Sequence, residues 1–447
     1  GIRRLAIPGS VATLMTRKIG KLPQATRSLL SVAACLGHRF DLGHLAEVVE
    51  TPASAIAARL SAAVEAGLVQ SSTPSPVAGG GPTGSAAGPI TRFEFSHDRV
   101  RQAAYALLPR KERRLTHLKI GRLWWEQTPE GDLAERVFEI ADQLNEGFQH
   151  LTEERERQQL VELNLTAGRK AKRAAAYQAA IRYLSMGIGL LPANRWEGGR
   201  ALTLALFMEA VEAEYLCANF ERAALLSTEV LDHAKDWFTR VRIHELRILF
   251  FTAQDQNDAA LQAGMEALDE LDMGLPTEPE EAEAFRGELQ RELPPAGSRI
   301  EDLARLPEMT DPRQLAGLRV LMHLTAPAHR TKPALLETII SRMVLLAVRQ
   351  GNSPMAAVAY GWHGALLCGR ADSIEMGYRY GRLSLEVLRR FPAPELEAKV
   401  AFLFNTFVRH WKEHARECVA PLQDVYRRGV ETGDLEYTYY GAIHSCG

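Results

Sequence analysis

Cysteine is scarce. The five present (Cys35, Cys217, Cys368, Cys418 and Cys446) are odd in number, widely scattered and without a C-x-x-C pair, which fits buried thiols in a reducing, cytoplasmic compartment better than a disulfide framework. Aromatic residues make up only 7% of the chain, and alternating β-branched runs are almost absent, so there is little material for a large sheet. Charge of one sign is also missing: 53 Lys and Arg against 55 Asp and Glu leave a net −2. Without a global basic excess, nucleic-acid binding would need a local patch. The most apolar runs, such as Met343 to Val348, fall far short of the roughly 18 residues that span a bilayer, and no membrane partner is expected. There is no G-x-x-x-x-G-K-[ST] loop, no G-x-G-x-x-G after a strand and no G-x-S-x-G elbow. Phosphate-cradling and nucleophile-elbow chemistry therefore lack their backbone scaffolds, so the chain is expected to be non-catalytic and to hold no cofactor of its own. Neither an initiator Met nor a secretory signal precedes Gly1-Ile2-Arg3, and the chain ends just past a Tyr-rich run, so it is expected to be part of something longer.

What is present is helical texture. Ala, Leu, Glu and Arg dominate within an ordinary 46% apolar, 24% charged composition, and 447 residues allow roughly two to four domains. Thr26 to Leu36 places Leu29, Leu30, Val32, Ala33 and Leu36 on one stripe, stopped by Gly37. Helices are predicted over Leu42 to Glu50 and over Pro52 to Gly67, the latter with Ile56, Leu60, Ala63 and Val64 on one face. The uncharged, Gly- and Pro-rich stretch Ser71 to Thr91 reads as a mobile loop between two short strand-like arms, Gly67 to Gln70 and Arg92 to Phe95. Three helices and a two-stranded wing predict a winged-helix domain. Ser96 is placed to cap a helix running to Pro109, and another amphipathic helix spans about Glu112 to Thr128.

From about Arg155 the text repeats. Ala167-Gly168, Ala180, Leu184, Gly187 and Pro192 sit at tetratricopeptide-like spacings, and turn-plus-small-residue signatures return at Asn219 to Ala223 and at Gln254 to Ala260. Small residues allow the paired helices to approach. The fold expected is therefore mainly α: a winged-helix domain followed by a tetratricopeptide-like α-solenoid. The divisions are 21–115 for the winged helix with a wing loop at 71–91, 116–154 for connecting helices, and 155–276 for repeats. A Pro- and Glu-rich interruption at 277–332 and further repeats at 333–447 complete them.

Four motifs carry possible chemistry. His410-Trp411-Lys412-Glu413-His414 matches H-x-x-E-H, which on a helix would put two imidazoles on one face as zinc ligands; without a third ligand, a charged helix surface is preferred and no metal is assigned. Ser96-His97-Asp98-Arg99 superficially resembles the start of a histidine-kinase phosphoacceptor helix, but no Pro follows and no Gly-rich ATP lid lies downstream. Arg99, Arg101, Arg110, Lys111, Arg113 and Arg114 crowd the region after the wing; a solvated face is preferred over a DNA contact, because Pro52 to Gly67 carries too little chemistry to read bases. Aromatics on the solenoid, Tyr215, Phe220, Tyr360, Trp362, Tyr378 and Tyr380, are candidates to line a partner groove, against the simpler reading that most are core.

Taken together, Leu22-Pro23 to Leu36-Gly37, Phe40-Asp41-Leu42, Phe95 to Tyr105, His117 to Leu123, Phe138 to Asn145, Leu163-Asn164 to Lys172, Asp302-Leu303 with Leu306-Pro307, and Gly433 to Tyr437 resemble one family. It is the large bacterial signalling ATPases of the STAND (AAA-like) class, commonly fused to an N-terminal serine/threonine kinase and, downstream, to a GAF domain and a sensor histidine kinase. The resemblance covers essentially the whole chain and makes it the middle piece, with residues 1–20 as the end of the ATPase lid. It implies that ATP or ADP with Mg binds an upstream core outside this sequence. His97-Asp98 is similar to the Met-His-Asp signature of that family, with Ser96 in place of Met, where the His reaches the β-phosphate of ADP. Asp98 would then cap the following backbone N–H groups. The function implied is regulatory: partner or ligand sensing on the solenoid coupled through the winged helix to nucleotide state, with intramolecular partners upstream and downstream. The alternatives kept are a piece of a serine/threonine or histidine protein kinase and a DNA-binding transcriptional regulator.

Overall fold

The computed structural model describes residues 11–72, 92–197, 200–276, 278–293 and 299–446, and all statements below concern these. The wing loop expected at 71–91 lies outside them from residue 73 onward, as does the first half of the expected lid segment. The chain is mainly α, a winged-helix domain followed by paired helices, and it divides into two compact units, Gly1–Ala213 and Glu214–Gly447. The division falls inside a helix, within the stretch 155–276 that the sequence reads as one set of repeats.

The first unit begins with α1 (Val11–Gly20) and α2 (Gln24–Leu36), followed by β1 (Arg39–Asp41), α3 (Leu42–Val49) and α4 (Ala53–Glu65). Then come β2 (Val69–Ser72), β3 (Arg92–Phe95) and α5 (Asp98–Tyr105). The wing is three-stranded rather than two-stranded, in the antiparallel order β1-β3-β2. Three residues are too few for alternation to announce β1, but Phe40 supplies the reason it forms: its ring stacks on Phe93 with centroids 5.8 Å apart and tilts against Phe95 at 5.5 Å. Asp41 then ends the strand and caps α3, its Oδ1 accepting from the Gly43 N–H at 2.7 Å. Leu29, Leu30, Ala33, Ile56, Leu60 and Ala63 form the core as their stripes predict, while Val64 is exposed. The arm expected at Gly67 to Gln70 pairs two residues later than predicted, because Gly67 has a φ of 65° and turns the chain before the strand begins.

Helices α6 (Arg110–Gln127) and α7 (Leu133–Gly147) pack together, as do α8 (Glu154–Arg173) and α9 (Tyr177–Leu190). The small residues at 168 and 187 do what their spacing predicts: a Cβ on Gly168 would sit 2.6 Å from Leu184 Cδ2, and one on Gly187 would sit 2.8 Å from Leu206 Cδ2. Helix α10 (Arg200–Leu216) carries the division between the units.

The second unit continues with α11 (Phe220–His233), the pair α12 (Trp237–Ala253) and α13 (Asn257–Asp269), and the added helix α14 (Pro279–Glu292). It then pairs α15 (Pro312–Thr331) with α16 (Pro333–Gln350), α17 (Pro354–Cys368) with α18 (Ile374–Arg390), and α19 (Pro394–Leu403) with α20 (Arg416–Thr432), before α21 (Leu435–Cys446). Regular pairing thus resumes at Pro312 and not at Pro333. The start signal is Asp311-Pro312: Asp311 Oδ1 accepts from the N–H groups of Arg313 and Gln314 at 2.8 and 3.1 Å, with Pro in the first turn.

One turn recurs across the pairs. Ala175, Ala218 and Asp255 are left-handed (φ 55°, 58° and 58°). In each case the following N–H bonds back five residues, from Ala176 to Ala171 O, Asn219 to Glu214 O and Gln256 to Phe251 O, all at 2.9 Å. Identical geometry at unequal spacing is what a degenerate repeat looks like in backbone terms.

Candidate functional site

The first candidate site lies at the start of α5. His97 and not Ser96 is the N-cap: its Nδ1 accepts from the Arg99 N–H at 3.0 Å, while Ser96 Oγ donates to Gly67 O at 2.7 Å and ties the strand end to the turn before β2. A ring nitrogen that accepts carries no proton, so the proton of His97 sits on Nε2. The side chain is exposed, so that donor faces solvent. Asp98 does not cap the backbone as the resemblance implies. Its Oδ1 accepts from Arg101 Nε at 2.9 Å and its Oδ2 from Gln102 Nε2 at 2.7 Å, and the Arg101 guanidinium holds the carboxyl below its ordinary range.

Arg101 and Gln102 then line a cleft of about 690 Å³ that opens between α2, α5, α6, α7 and α9. Its wall is a directional chain of hydrogen bonds. Gln143 Nε2 donates to Cys35 O at 2.9 Å, which turns Gln143 Oε1 toward His117 Nδ1 at 2.6 Å. His117 therefore donates through Nδ1 and accepts at Nε2 from the Tyr105 hydroxyl, 2.9 Å away. Burial lowers the His117 pKa and favours the neutral ring that this pattern needs. The chain runs from the end of α5 through α6 and α7 to the last turn of α2. On the far wall the Tyr183 hydroxyl donates to Asp142 Oδ1 at 2.9 Å. Sequence reasoning missed Tyr105, His117 and Gln143 as a group, although the strings that carry the resemblance contain all three.

The aromatic candidates separate. Tyr360 (0% exposed) and Trp362 (7%) are core and cannot line a partner groove: Tyr360 donates to Asn352 Oδ1 at 3.2 Å and Trp362 stacks on Phe407 at 5.7 Å. Tyr380 is core as well. Tyr215 and Phe220 are half-buried with ring centroids 6.3 Å apart, and Tyr378 is half-buried with its hydroxyl on Glu413 Oε1 at 2.5 Å. The structure does not bring Tyr378 together with Tyr215 and Phe220.

The H-x-x-E-H string is not on a regular helix. Arg409–Trp411 is a tight 3-10 turn, Glu413 pairs with Arg409, and His414 Nδ1 accepts from the Arg416 N–H at 3.1 Å. The helical spacing a zinc reading requires is absent, and among the described residues no group of three His, Cys, Asp or Glu is placed to hold a metal. Cys35, Cys368 and Cys418 are buried; burial raises the first two to about 12 and 11. Cys217 is half-buried rather than buried. No described helix is long and apolar enough to cross a membrane.

In the second unit, charged groups that sequence did not single out pair across α12 and α15 and across α15 and α21. Glu245 on α12 is fully buried and is shared by two guanidiniums, Arg319 Nε at 2.5 Å and Arg242 at 3.2 Å. Further along α15, Arg330 reaches Glu436 at 2.8 Å and the Tyr440 hydroxyl at 2.9 Å. Lys399 on α19 lies over the Tyr437 ring at 5.2 Å.

No family model matches the chain. Hybrid signal transduction histidine kinase G of Dictyostelium discoideum is 19% identical over 400 residues, covering 79% of this chain but 12% of that protein. Among solved structures, a signal transduction ATPase with numerous domains (STAND) with a tetratricopeptide repeat sensor, from Pyrococcus horikoshii, aligns with 98% of this chain and 62% of its own at 11% identity and a TM-score of 0.35. The chain thus spans only a small part of the curated relative.

Proposed function

We propose that this chain is a non-catalytic regulatory and protein-interaction segment of a larger signal-transduction ATPase or kinase. Its paired helices sense a partner or ligand, and its winged helix relays that event to the nucleotide state of an upstream core. The similarity over 400 residues to a signal-transduction histidine kinase supports the signalling role. The observation that carries the relay is the arrangement around α5. His97 presents an outward Nε2 donor at one end of the helix, Asp98 grips Arg101 and Gln102 in the middle, and Tyr105 at the other end is bonded to the paired helices through His117. A displacement of α6 and α7 is therefore transmitted to the imidazole through one short helix.

In the parent protein ATP or ADP with Mg would be held by the upstream core, and this chain would add one contact, the His97 donor to a phosphate oxygen. Partner binding that favours the arrangement in which His97 leaves the phosphate would shift the nucleotide equilibrium. A differential affinity of a few kcal/mol suffices for a switch of that kind.

The test uses the full-length protein and the ADP it retains. His97→Ala is expected to weaken ADP binding about tenfold, the value of one charge-assisted hydrogen bond, while Arg305→Ala, an exposed control, leaves it unchanged. Unaltered ADP affinity in His97→Ala, or ATP turnover by the 447-residue chain alone, would contradict the proposal.

A further inference from the structure

The added helix α14 comes from the Pro- and Glu-rich interruption and packs on α16. Leu289 is its buried anchor, and Arg349 of α16 grips Glu288 at 2.5 Å and Glu292 at 2.9 Å. Held there, α14 closes one side of the groove that α16 shares with α17 and α18, and a cavity of about 230 Å³ remains beneath it. Leu289 of α14, Leu366 and Leu367 of α17 and Met376 of α18 give it apolar walls. Its charged residues, Arg286, Glu337 and Arg370, are half-buried or exposed and form the rim, where Arg370 lies 3.9 Å from Glu337.

Two polar rings line the same cavity, His363 and Tyr380, and neither the imidazole nor the phenol hydroxyl has a hydrogen-bond partner among the described residues. Tyr380 is only 2% exposed, and the two rings meet edge to face with centroids 4.7 Å apart. Ser341 on the same wall is by contrast satisfied, donating to Glu337 O at 2.8 Å. Burial takes His363 down to about 4, so near neutral pH its ring is uncharged and offers one donor and one acceptor nitrogen. Buried polar groups in folded proteins are nearly all paired, and water would pair these two only by wetting the leucines and the methionine beside them. An apolar cavity of roughly 150 Å³ holds a benzene ring. The one under α14 has room for a second, fused ring.

We propose that the cavity between α14, α16, α17 and α18 binds an uncharged aromatic small molecule of one or two rings bearing a single N–H or O–H group, an indole or a phenol. The leucines and Met376 take the ring faces, and the N–H or O–H is met by the His363 and Tyr380 side chains. Such a ligand leaves no charge to desolvate, and it pairs the polar groups that the protein leaves unpaired. The inference rests on the reading of the paired helices as the sensing part and names the chemistry they would sense.

The test is thermal unfolding and calorimetric titration of the 447-residue chain with indole and with phenol, against benzene, which has the ring without the donor. A saturable rise in melting temperature is expected with indole or phenol, and at least tenfold weaker binding of benzene. Tyr380→Phe keeps the ring and removes the hydroxyl, and should weaken binding of the donor-bearing probes about tenfold. Leu367→Trp fills the cavity and should abolish the response to all three; if it folds poorly, Tyr380→Phe keeps the test decisive. No saturable response to indole or phenol, a response to benzene as strong as theirs, or a response unchanged in either folded variant overturns the inference. None of these outcomes bears on ADP retention through His97.

Discussion

The position of a residue along a hydrogen-bond chain decides what its loss costs. Gln143 is buried between two partners, the His117 ring and the Cys35 carbonyl, so Gln143→Leu leaves a buried donor and a buried acceptor unpaired. Each such group costs about 1–3 kcal/mol, and chemical denaturation is expected to show a loss of about 2–4 kcal/mol. Tyr105 stands at the other end of the same chain and is half-buried; Tyr105→Phe leaves only one buried group, the His117 Nε2 acceptor, unpaired, and the loss should stay at about 1–2 kcal/mol. Equal losses would mean that the chain does not join α2 and α5 to α6 and α7. Glu245 obeys a sharper version of the rule. Glu245→Gln leaves Arg319 and Arg242 facing a neutral amide, and since those guanidiniums are 35% and 42% exposed, the cost falls below the 3–5 kcal/mol of a sealed pair, to about 2 kcal/mol. None of these partnerships is visible in a single sequence: Arg319 follows Glu245 by 74 residues, and no local pattern specifies so distant a pairing. His97 was legible because it sits beside a strand end and a helix start. Which of Ser96, His97 and Asp98 would cap that helix was not, since all three have side chains able to accept from the backbone.

At the scale of elements, periodicity named most of the helices, and what it could not name is instructive. Ile56, Leu60 and Ala63 recur at helical spacing and are fully buried; the stripe is the cause of the burial. Strand β1 escaped because three residues carry no period, and its identity depends on Phe93 and Phe95, more than fifty residues away. The start of α15 was misplaced because Pro and Glu richness masked the Asp311-Pro312 cap. Tyr360, Trp362 and Tyr380 are core rather than groove, and the pattern could not say so: at helical spacing an aromatic facing a partner and one facing the neighbouring helix leave the same mark. The recurring turn makes a prediction of its own. Ala175 and Ala218 are exposed residues in the left-handed region, where a Cβ costs about 1–2 kcal/mol, partly offset by the lower unfolded-state entropy of Ala than of Gly. Ala175→Gly and Ala218→Gly should each stabilise by about 0.5–1 kcal/mol, read as a rise in melting temperature. The same change at Ala224, a helical position in α11, should destabilise by about 1 kcal/mol. A fall at the two turn positions would show that the left-handed turn is not what the solution structure uses.

At the scale of the whole molecule the histidines set the response to acid. Burial lowers His117 in the first unit and His329 in the second, and takes His244 and His363 to about 4 and His323 to about 3. A folded pKa below the unfolded value of 6.5 means that below that pH the unfolded chain takes up protons which the folded chain refuses. Stability is therefore full above pH 6.5 and is lost as pH falls toward the folded values. Each such histidine contributes a slope of about 1.4 kcal/mol per pH unit within its window, so His244, His323 and His363 together approach about 4 kcal/mol per unit near pH 5. The carboxylates held low by ion pairs, such as Glu301 at about 2 beside Arg379, begin to act only below their ordinary value of 4.5, which leaves the interval from 6.5 to 4.5 to the histidines. Four of the five lie in Glu214–Gly447 and one in Gly1–Ala213. Acid should consequently unfold the second unit first: calorimetry is expected to show melting independent of pH from 8 to 7, then a transition that moves to lower temperature for the second unit faster than for the first. His363→Phe, which keeps a ring against Tyr380 and removes the titration, should flatten the slope of the second unit by about a third. Transitions that fall together, or that stay level down to pH 4.5, would mean that these imidazoles are hydrated in solution.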